Sequence, residues 1–265
     1  MFTEKSFGAA EEFIELATRP ARARFAVENC PARWSDEFMS PASPAITFRN
    51  AVRADLDGIL AVEQSWPESS RAGADKFMAR LERFPQGFFV ASVMEAGRER
   101  LVATLTSMPL QYDPAHLQAF GGWDAVTNRG DLFPDMDLAR CNSIYIVSGV
   151  IDNACHGLNL FGPGVLLEVD LAKRLGLRYV IGGAVLPGYK RHCERHGPLE
   201  AYTYCRRRRG TALTDPLLAM YESIGFSVPD ASHVIPEYYP DDASKNYAAL
   251  VVRDVQQGAF IAPPS

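Results

Sequence analysis

From Asn142 to Phe226 the chain reads strand, turn, helix, strand, insertion and helix, and this order constrains the fold more than any other feature. The strand Ser143 to Ile151 is rich in β-branched residues, as a buried strand is. The turn runs from Asp152 to Phe161, and a helix carrying Val165 to Leu175 stops at Gly176. A second strand, Arg178 to Ala184, follows at once, and the segment closes on the run Met220 to Phe226. A strand that feeds a tight turn and then a helix leaves free backbone N–H groups at the helix N-terminus. Such a terminus holds an anion like pyrophosphate without many charged side chains.

These residues resemble the GNAT superfamily of acyl-CoA-dependent N-acyltransferases. In that family a strand ends in a pattern like Val-His-Pro-Glu-Tyr-Arg-Gly. An Arg/Gln-x-x-Gly-x-Gly/Ala loop, a helix, Lys-Gly-Leu, a strand and Leu-Tyr-x-x-x-Gly-Phe follow. Here Ile151 to Gly157 lines up with the first pattern, Lys173 to Leu177 with the helix end, and Tyr221 to Phe226 with the last motif. Four further stretches are similar to a GNAT subgroup also found fused to nitrilase-type carbon–nitrogen hydrolases. They are Phe84 to Gly87, Leu186 to Tyr189, the Asp215-Pro216 helix start and Ile235 to Asp242. The resemblance implies a mixed α/β (α+β) GNAT fold. Its central sheet is mostly antiparallel, with parallel strands splayed at the acyl-CoA site and helices on both faces.

With 265 residues the chain is long enough for one large domain or two small ones. A net charge of −5 gives no electrostatic reason to expect nucleic acid as a partner. The five cysteines form no Cys-x-x-Cys pair and are odd in number, which points to reduced thiols in a cytoplasmic setting. The first residues show no secretory pattern, and no run approaches the roughly 20 apolar residues of a membrane helix.

Residues 1–44 read as a helical extension (8–29) and a proline- and serine-rich linker, and 45–255 as the acyltransferase domain. That domain opens with a strand at Ile46 to Arg49, a helix after Asp55, and a second helix through Phe77, Met78 and Leu81. A hairpin of Gly87 to Val93 with Leu101 to Thr106 follows. Insertions occupy 111–141 and 185–214, and 256–265 is a tail.

By the resemblance, the end of the Ser143–Ile151 strand splays from its neighbour. Backbone groups at Gly149 and Ile151 then bind the pantetheine arm and polarise the thioester carbonyl. A strand glycine equally marks a bulge. Spacing back from Gly176 puts His156 at the Arg/Gln position and Asn159 and Phe161 at the two glycine positions. In that frame the amides of His156, Gly157, Leu158, Asn159, Leu160 and Phe161 contact the pyrophosphate. Asparagine tolerates the left-handed backbone a glycine would adopt, whereas Phe161 stands where Gly or Ala is usual. Sliding by three gives Asn159-x-x-Gly162-x-Gly164, and Pro163 fits the first helical turn in either frame. Without a ligand, the same residues make a glycine-rich helix cap.

Tyr221 holds the family position whose hydroxyl protonates the leaving thiolate. The plain alternative is a packed tyrosine beside Leu217, Leu218 and Ile224. No carboxylate or histidine lies in the Ser143–Ile151 strand, so base candidates are Glu63, His192, Glu194 and His196, or water. His192 and His196 lack the glutamate position of a His-Glu-x-x-His site and a third ligand, so no metal is expected. The run Arg206 to Arg209 is a solvated face or a minor contact to a CoA phosphate. Trp66, Trp123, Tyr189 and Tyr202 are candidates to line an acceptor pocket.

The expected activity is transfer of an acetyl group from acetyl-CoA to a primary amine on a small molecule or peptide, by direct attack in a ternary complex. One alternative is an acyltransferase with a longer acyl-CoA or a carrier-protein donor. Another is a non-catalytic CoA-binding module. Neither nucleic acid nor membrane is expected as a partner, and the acceptor and oligomeric state stay open.

Overall fold

The β-branched runs and helical periodicities settle into nine strands and seven α-helices among the described residues. The computed structural model describes residues 45–158 and 160–256. The extension and linker expected over 1–44, Asn159, and the tail beyond 256 lie outside them.

The chain divides into two compact units. The first holds β1 (Ile46–Asn50), α1 (Leu56–Glu63), α2 (Ala74–Arg83), β2 (Phe88–Glu95) and β3 (Arg98–Leu110) as far as Thr106. It also takes Ser148 to Gly164, which is the end of β4 (Ser143–Ile151), the following turn, and the first turn of α4 (Phe161–Arg174). Its core packs Ile59, Val62, Phe77 and Leu81 of the two helices on Phe88, Val90 and Val150 of the strands. The β2–β3 hairpin turns on Ala96 and Gly97, both at positive φ (47° and 78°). Such turns match the twist of paired strands.

The second unit holds the rest of β3, β4 and α4, with α3 (Trp123–Thr127) and β5 (Tyr179–Val185). It continues with α5 (Tyr189–His196), α6 (Ala201–Cys205), the small hairpin β6 (Arg208–Arg209) and β7 (Ala212–Leu213), and α7 (Pro216–Ser223). It ends with β8 (Val234–Ile235) and β9 (Ala248–Asp254). The two insertions read from sequence therefore contain short helices of their own. The strand order of the main sheet is β1-β2-β3-β4-β5-β9-β8. β4 and β5 run parallel, while β1–β2, β2–β3, β5–β9 and β8–β9 are antiparallel. This is the mixed, mostly antiparallel sheet expected from sequence.

Both long-range helix stops have the same cause. At the end of α4, Gly176 takes φ +69°, Leu177 N–H donates to Ala172 O (2.9 Å) and Gly176 N–H to Lys173 O (3.1 Å). At the end of α7, Gly225 takes φ +84°, Phe226 N–H donates to Tyr221 O (3.0 Å) and Gly225 N–H to Glu222 O (3.0 Å). These are Schellman caps, in which glycine carries the left-handed residue and the last carbonyls find partners. The α7 start is equally explicit: Asp215 accepts from Leu217 N–H (3.1 Å) and Leu218 N–H (3.2 Å), with Pro216 in the first turn.

One buried acid in α4 makes stability depend on pH. Glu168 is fully buried, Ser107 Oγ donates to its Oε2 at 2.6 Å, and its Oε1 has no partner. Burial pushes its carboxyl well above the usual range, with the Ser107 hydrogen bond acting the other way. The folded state therefore holds a proton that the unfolded state has released. Stability is full below the unfolded carboxyl's range and falls as pH rises toward the folded value, at up to about 1.4 kcal/mol per pH unit for one proton. Urea melts between pH 4 and 9 should show this decline in the native chain and a flatter profile in Glu168→Gln. Parallel profiles would refute a neutral Glu168.

Candidate functional site

The register of β4 with β5 runs from Ser143↔Tyr179 to Ile146↔Gly182 and ends there, although β4 itself continues to Ile151. Past Ile146, β4 has backbone groups that β5 does not satisfy, and a polar backbone group left without a strand partner must find another. Val147 O accepts the indole N–H of Trp123 at 2.8 Å. Asp152 N–H, one residue beyond the strand, donates to Val102 O of β3 at 2.8 Å.

The turn after β4 is built around Asp152. Its Oδ1 accepts from Ala154 N–H (2.9 Å), its carbonyl from Cys155 N–H (2.7 Å), and its Oδ2 from Arg100 Nη1 (2.6 Å). Arg100 also pairs with Glu95 (2.8 Å) and places Nη2 3.9 Å from the buried Cys155 Sγ. His156, Gly157 and Leu158 then lie in a 3-10 segment, Asn153–Leu158. Leu160 is buried, and Phe161 opens α4. Gly162, Pro163 and Gly164 thus fall inside the first helical turn. In the first frame His156 precedes α4 and Phe161 opens it, Asn159 lying outside the described residues, whereas the shifted frame draws both glycines from α4 itself.

Phe161 does not need to be small, because the strand is. A Cβ built on Gly149 would stand 2.4 Å from Phe161 Cε2 and 3.0 Å from Leu105 Cδ1. No real Cβ tolerates the first distance, so the ring occupies the space a side chain on β4 would take. Phe161 and Leu160 enclose a small apolar void with Phe48, Ala103, Leu105 and Ile151. On this face Gly149 answers a packing demand, and Ile151 lines the same apolar space.

The second unit gathers phenols where the β4–β5 pairing stops. Tyr221 is buried on α7, its Oη 3.1 Å from where a Cβ on Gly182 would lie. Tyr238 is buried with its Oη only 1.9 Å from the corresponding position on Gly183, so no side chain fits there. Successive residues of a strand face opposite ways, so the two hydroxyls approach β5 from opposite faces. Tyr238 and the fully buried Tyr145 share a short hydrogen bond between their hydroxyls. Burial pushes all three phenols well above the ordinary tyrosine range, with Tyr238 adding to the effect on Tyr145 and Tyr221. Tyr145 and Tyr238 were not singled out from sequence. The available signal was the Gly182-Gly183 pair inside a strand, which marks close approach by something bulky.

The base candidates are placed less suggestively. Glu63 is buried and accepts Ala72 N–H at 2.7 Å, closing the α1–α2 connection. Burial raises its carboxyl, against that hydrogen bond and the charges of Arg80 and Arg71. Arg80 lies buried over the Phe77 ring (5.1 Å) and donates to Ser148 Oγ of β4 at 3.2 Å. His192 and His196 share α5 with ring centroids 4.8 Å apart. Among the described residues no three His, Cys, Asp or Glu side chains gather as a metal site. In the arginine run, Arg208 pairs with Glu222 (2.5 Å) and Arg206 stacks over Tyr202 (5.7 Å). No described helix is long and apolar enough to cross a membrane.

No known family profile matches the chain. A probable hydrolase, YhcX of Bacillus subtilis (strain 168), is 25% identical over 227 residues, 78% of this chain. The match spans 38% of that protein's length. Among solved structures, the loading GNATL domain of CurA from Lyngbya majuscula superposes with a TM-score of 0.61 at 18% identity. It covers 80% of this chain and 98% of that domain. The GphF GNAT-like decarboxylase, solved with isobutyryl-CoA, also superposes with a TM-score of 0.61, at 20% identity over 78% of this chain and 98% of its own.

Proposed function

We propose that this chain, whose fold is that of the GNAT superfamily, transfers an acyl group from a coenzyme A thioester to an amine. The observation that carries the proposal is the end of β4–β5 pairing at Ile146↔Gly182 while β4 runs on into a turn and the N-terminus of α4. A strand whose pairing with its parallel neighbour has ended can hold an extended thioester arm by main-chain hydrogen bonds, and a turn leading into a helix N-terminus suits a pyrophosphate.

In this reading Gly149 and Ile151 present backbone groups to the pantetheine arm and the thioester carbonyl. The amides of His156, Gly157, Leu158, Asn159, Leu160 and Phe161 meet the phosphates. Arg100, by clamping Asp152, holds the turn in the shape that presents them. The amine attacks the thioester carbonyl, the C–N bond forms as the C–S bond breaks, and Tyr221 donates a hydrogen bond or proton to the leaving sulfur. The amine loses its proton to water or to a carboxylate or imidazole near the acceptor. No covalent acyl-enzyme is invoked, since Cys155 is buried beside Arg100 in the turn.

Calorimetric titration of the purified chain with acetyl-CoA and with isobutyryl-CoA tests the reading. Saturable binding near micromolar dissociation constants is expected, corresponding to about −8 kcal/mol. A thiol-release assay over a panel of amines then identifies the acceptor class. Absence of binding up to millimolar thioester would overturn the proposal, and binding without acyl transfer to any amine would favour the non-catalytic module.

A further inference from the structure

We infer that Ser148 is a further catalytic residue, whose hydroxyl donates a hydrogen bond to the thioester carbonyl oxygen as charge builds on it, and that Arg80 positions that hydroxyl. The inference rests on the reading above, in which the thioester lies at Gly149 and Ile151. Every group it invokes belongs to the first compact unit. Ser148 adjoins Gly149 on β4, two residues past the last pair with β5. Successive residues of a strand face opposite ways, so Ser148 and Val150 leave β4 on the face away from Gly149 and Phe161. That face meets α1 and α2. Val150 packs in one core with Ile59, Val62 and Phe77, and Arg80 Nη1 donates to Ser148 Oγ at 3.2 Å.

The direction of that bond decides the chemistry. A guanidinium has five N–H donors and no acceptor, so Ser148 accepts from Arg80 and its own single proton is left to donate elsewhere. A charged donor also polarises the hydroxyl and strengthens the bond its proton makes. Ser148 is half-buried and can meet a ligand, whereas Arg80 is only 2% exposed. A buried guanidinium is costly to the fold unless it is compensated. Here the Phe77 ring lies 5.1 Å from Arg80 Cζ, and the charge of Arg80 reaches the buried Glu63, whose carboxyl it lowers against the raising effect of burial. The end of α1 beyond Glu63 is itself tied to the turn after β4, where Asn153 N–H donates to Ser65 Oγ at 3.2 Å. The hydroxyl is therefore held by a buried charge on a rigid helix, the arrangement in which a donor costs no reorganisation during reaction. When the amine attacks, the C–N bond forms and the carbonyl electron pair moves onto oxygen. Ser148 donates a hydrogen bond to that oxygen and keeps its proton, and the pair returns to the carbonyl as the C–S bond breaks.

The experiment measures thiol release from acetyl-CoA with the most reactive amine of the panel above. It compares the full-length native chain with Ser148→Ala, Ser148→Thr, Arg80→Lys and the double variant of Arg80→Lys with Ser148→Ala. Thermal melts confirm that each is folded, and calorimetry with acetyl-CoA gives its affinity. Ser148→Ala should lower kcat about tenfold to a hundredfold with little change in that affinity, at or below the worth of one oxyanion donor because the main-chain groups of β4 remain. Ser148→Thr keeps the hydroxyl and should retain most of the rate. Arg80→Lys should lower kcat in the native background and not in the Ser148→Ala background, whereas an Arg80 that only supports the fold would lower it in both. A folded Ser148→Ala protein with the native kcat overturns the inference and leaves the acyl-transfer reading standing. Equal losses from Arg80→Lys in both backgrounds overturn the positioning role of Arg80. The two Ser148 variants carry the test if Arg80→Lys does not fold. Absence of thiol release by the native chain with every amine overturns the acyl-transfer reading, and the inference with it.

Discussion

Gly149→Ala is expected to destabilise the fold by about 1–3 kcal/mol, the usual cost of forcing a methyl into a packed core. The methyl would sit 2.4 Å from an edge carbon of Phe161, and Leu105 at 3.0 Å closes the other side. Phe161→Ala removes the ring and leaves a hole against β4. Because the ring is half-buried, its loss should cost about 2–4 kcal/mol, at or below the range for fully buried phenylalanines. The double variant is the informative one. With the ring gone, the new methyl at 149 moves into the vacated space, so the pair should cost less than the sum by at least about 1 kcal/mol. Urea melts of the four proteins supply the cycle. Additivity within about 0.5 kcal/mol would mean that the ring and the glycine are not complementary. The coupling bears on function because Phe161 is both the first residue of α4 and the end of the turn proposed to face the phosphates. Anchoring its ring over β4 orients the backbone that precedes it.

That contact also marks a limit of what local sequence carries. Phe161 stands at a position where the resembling family uses Gly or Ala, and Gly149 reads as a bulge or a place for close approach. Each is anomalous alone, and they explain one another only when the strand and the helix start are brought together. Periodicity and propensity are local quantities and carry no such pairing. The elements themselves were legible. The Ser143–Ile151 strand, the stop at Gly176, the Asp215-Pro216 helix start and the hairpin at 96–97 all follow from local chemistry that acts within a few residues. Contacts between segments far apart in the chain left no such local trace. Tyr145 and Tyr238 are 93 positions apart, and only the tertiary fold joins their hydroxyls. The reach of Trp123 to Val147 likewise depends on the path of the 111–141 insertion, whose short helix α3 has no strong periodic signal.

Tyr221→Phe is expected to lower kcat for acyl transfer about a hundredfold, the low end of what a positioned proton donor contributes, with the KM for the thioester nearly unchanged. The Tyr-x-x-x-Gly-Phe motif does not by itself argue for this. Tyr221 is the residue whose carbonyl caps α7 through Phe226 N–H, and its ring meets Phe226 edge-on at 5.2 Å. That is the apolar contact that accompanies a Schellman cap, so the motif would exist in a chain with no chemistry at all. What packing leaves unexplained is the hydroxyl over Gly182, at the last residue of β5 that pairs with β4. Phenylalanine keeps the cap and the ring contact and removes only that hydroxyl, so the fold should be retained while turnover falls. Burial places the phenol well above its ordinary range, so it remains protonated through the alkaline region where a thiol with a pKa of about 8.5 ionises. Complete transfer of its proton to a thiolate is then uphill, and the hydroxyl serves best as a hydrogen-bond donor to sulfur as the C–S bond lengthens. The native rate should accordingly show no loss from Tyr221 ionisation up to about pH 10. A Tyr221→Phe protein that turns over at the native rate would reduce Tyr221 to the cap of α7 and leave the departing thiolate to be protonated by water.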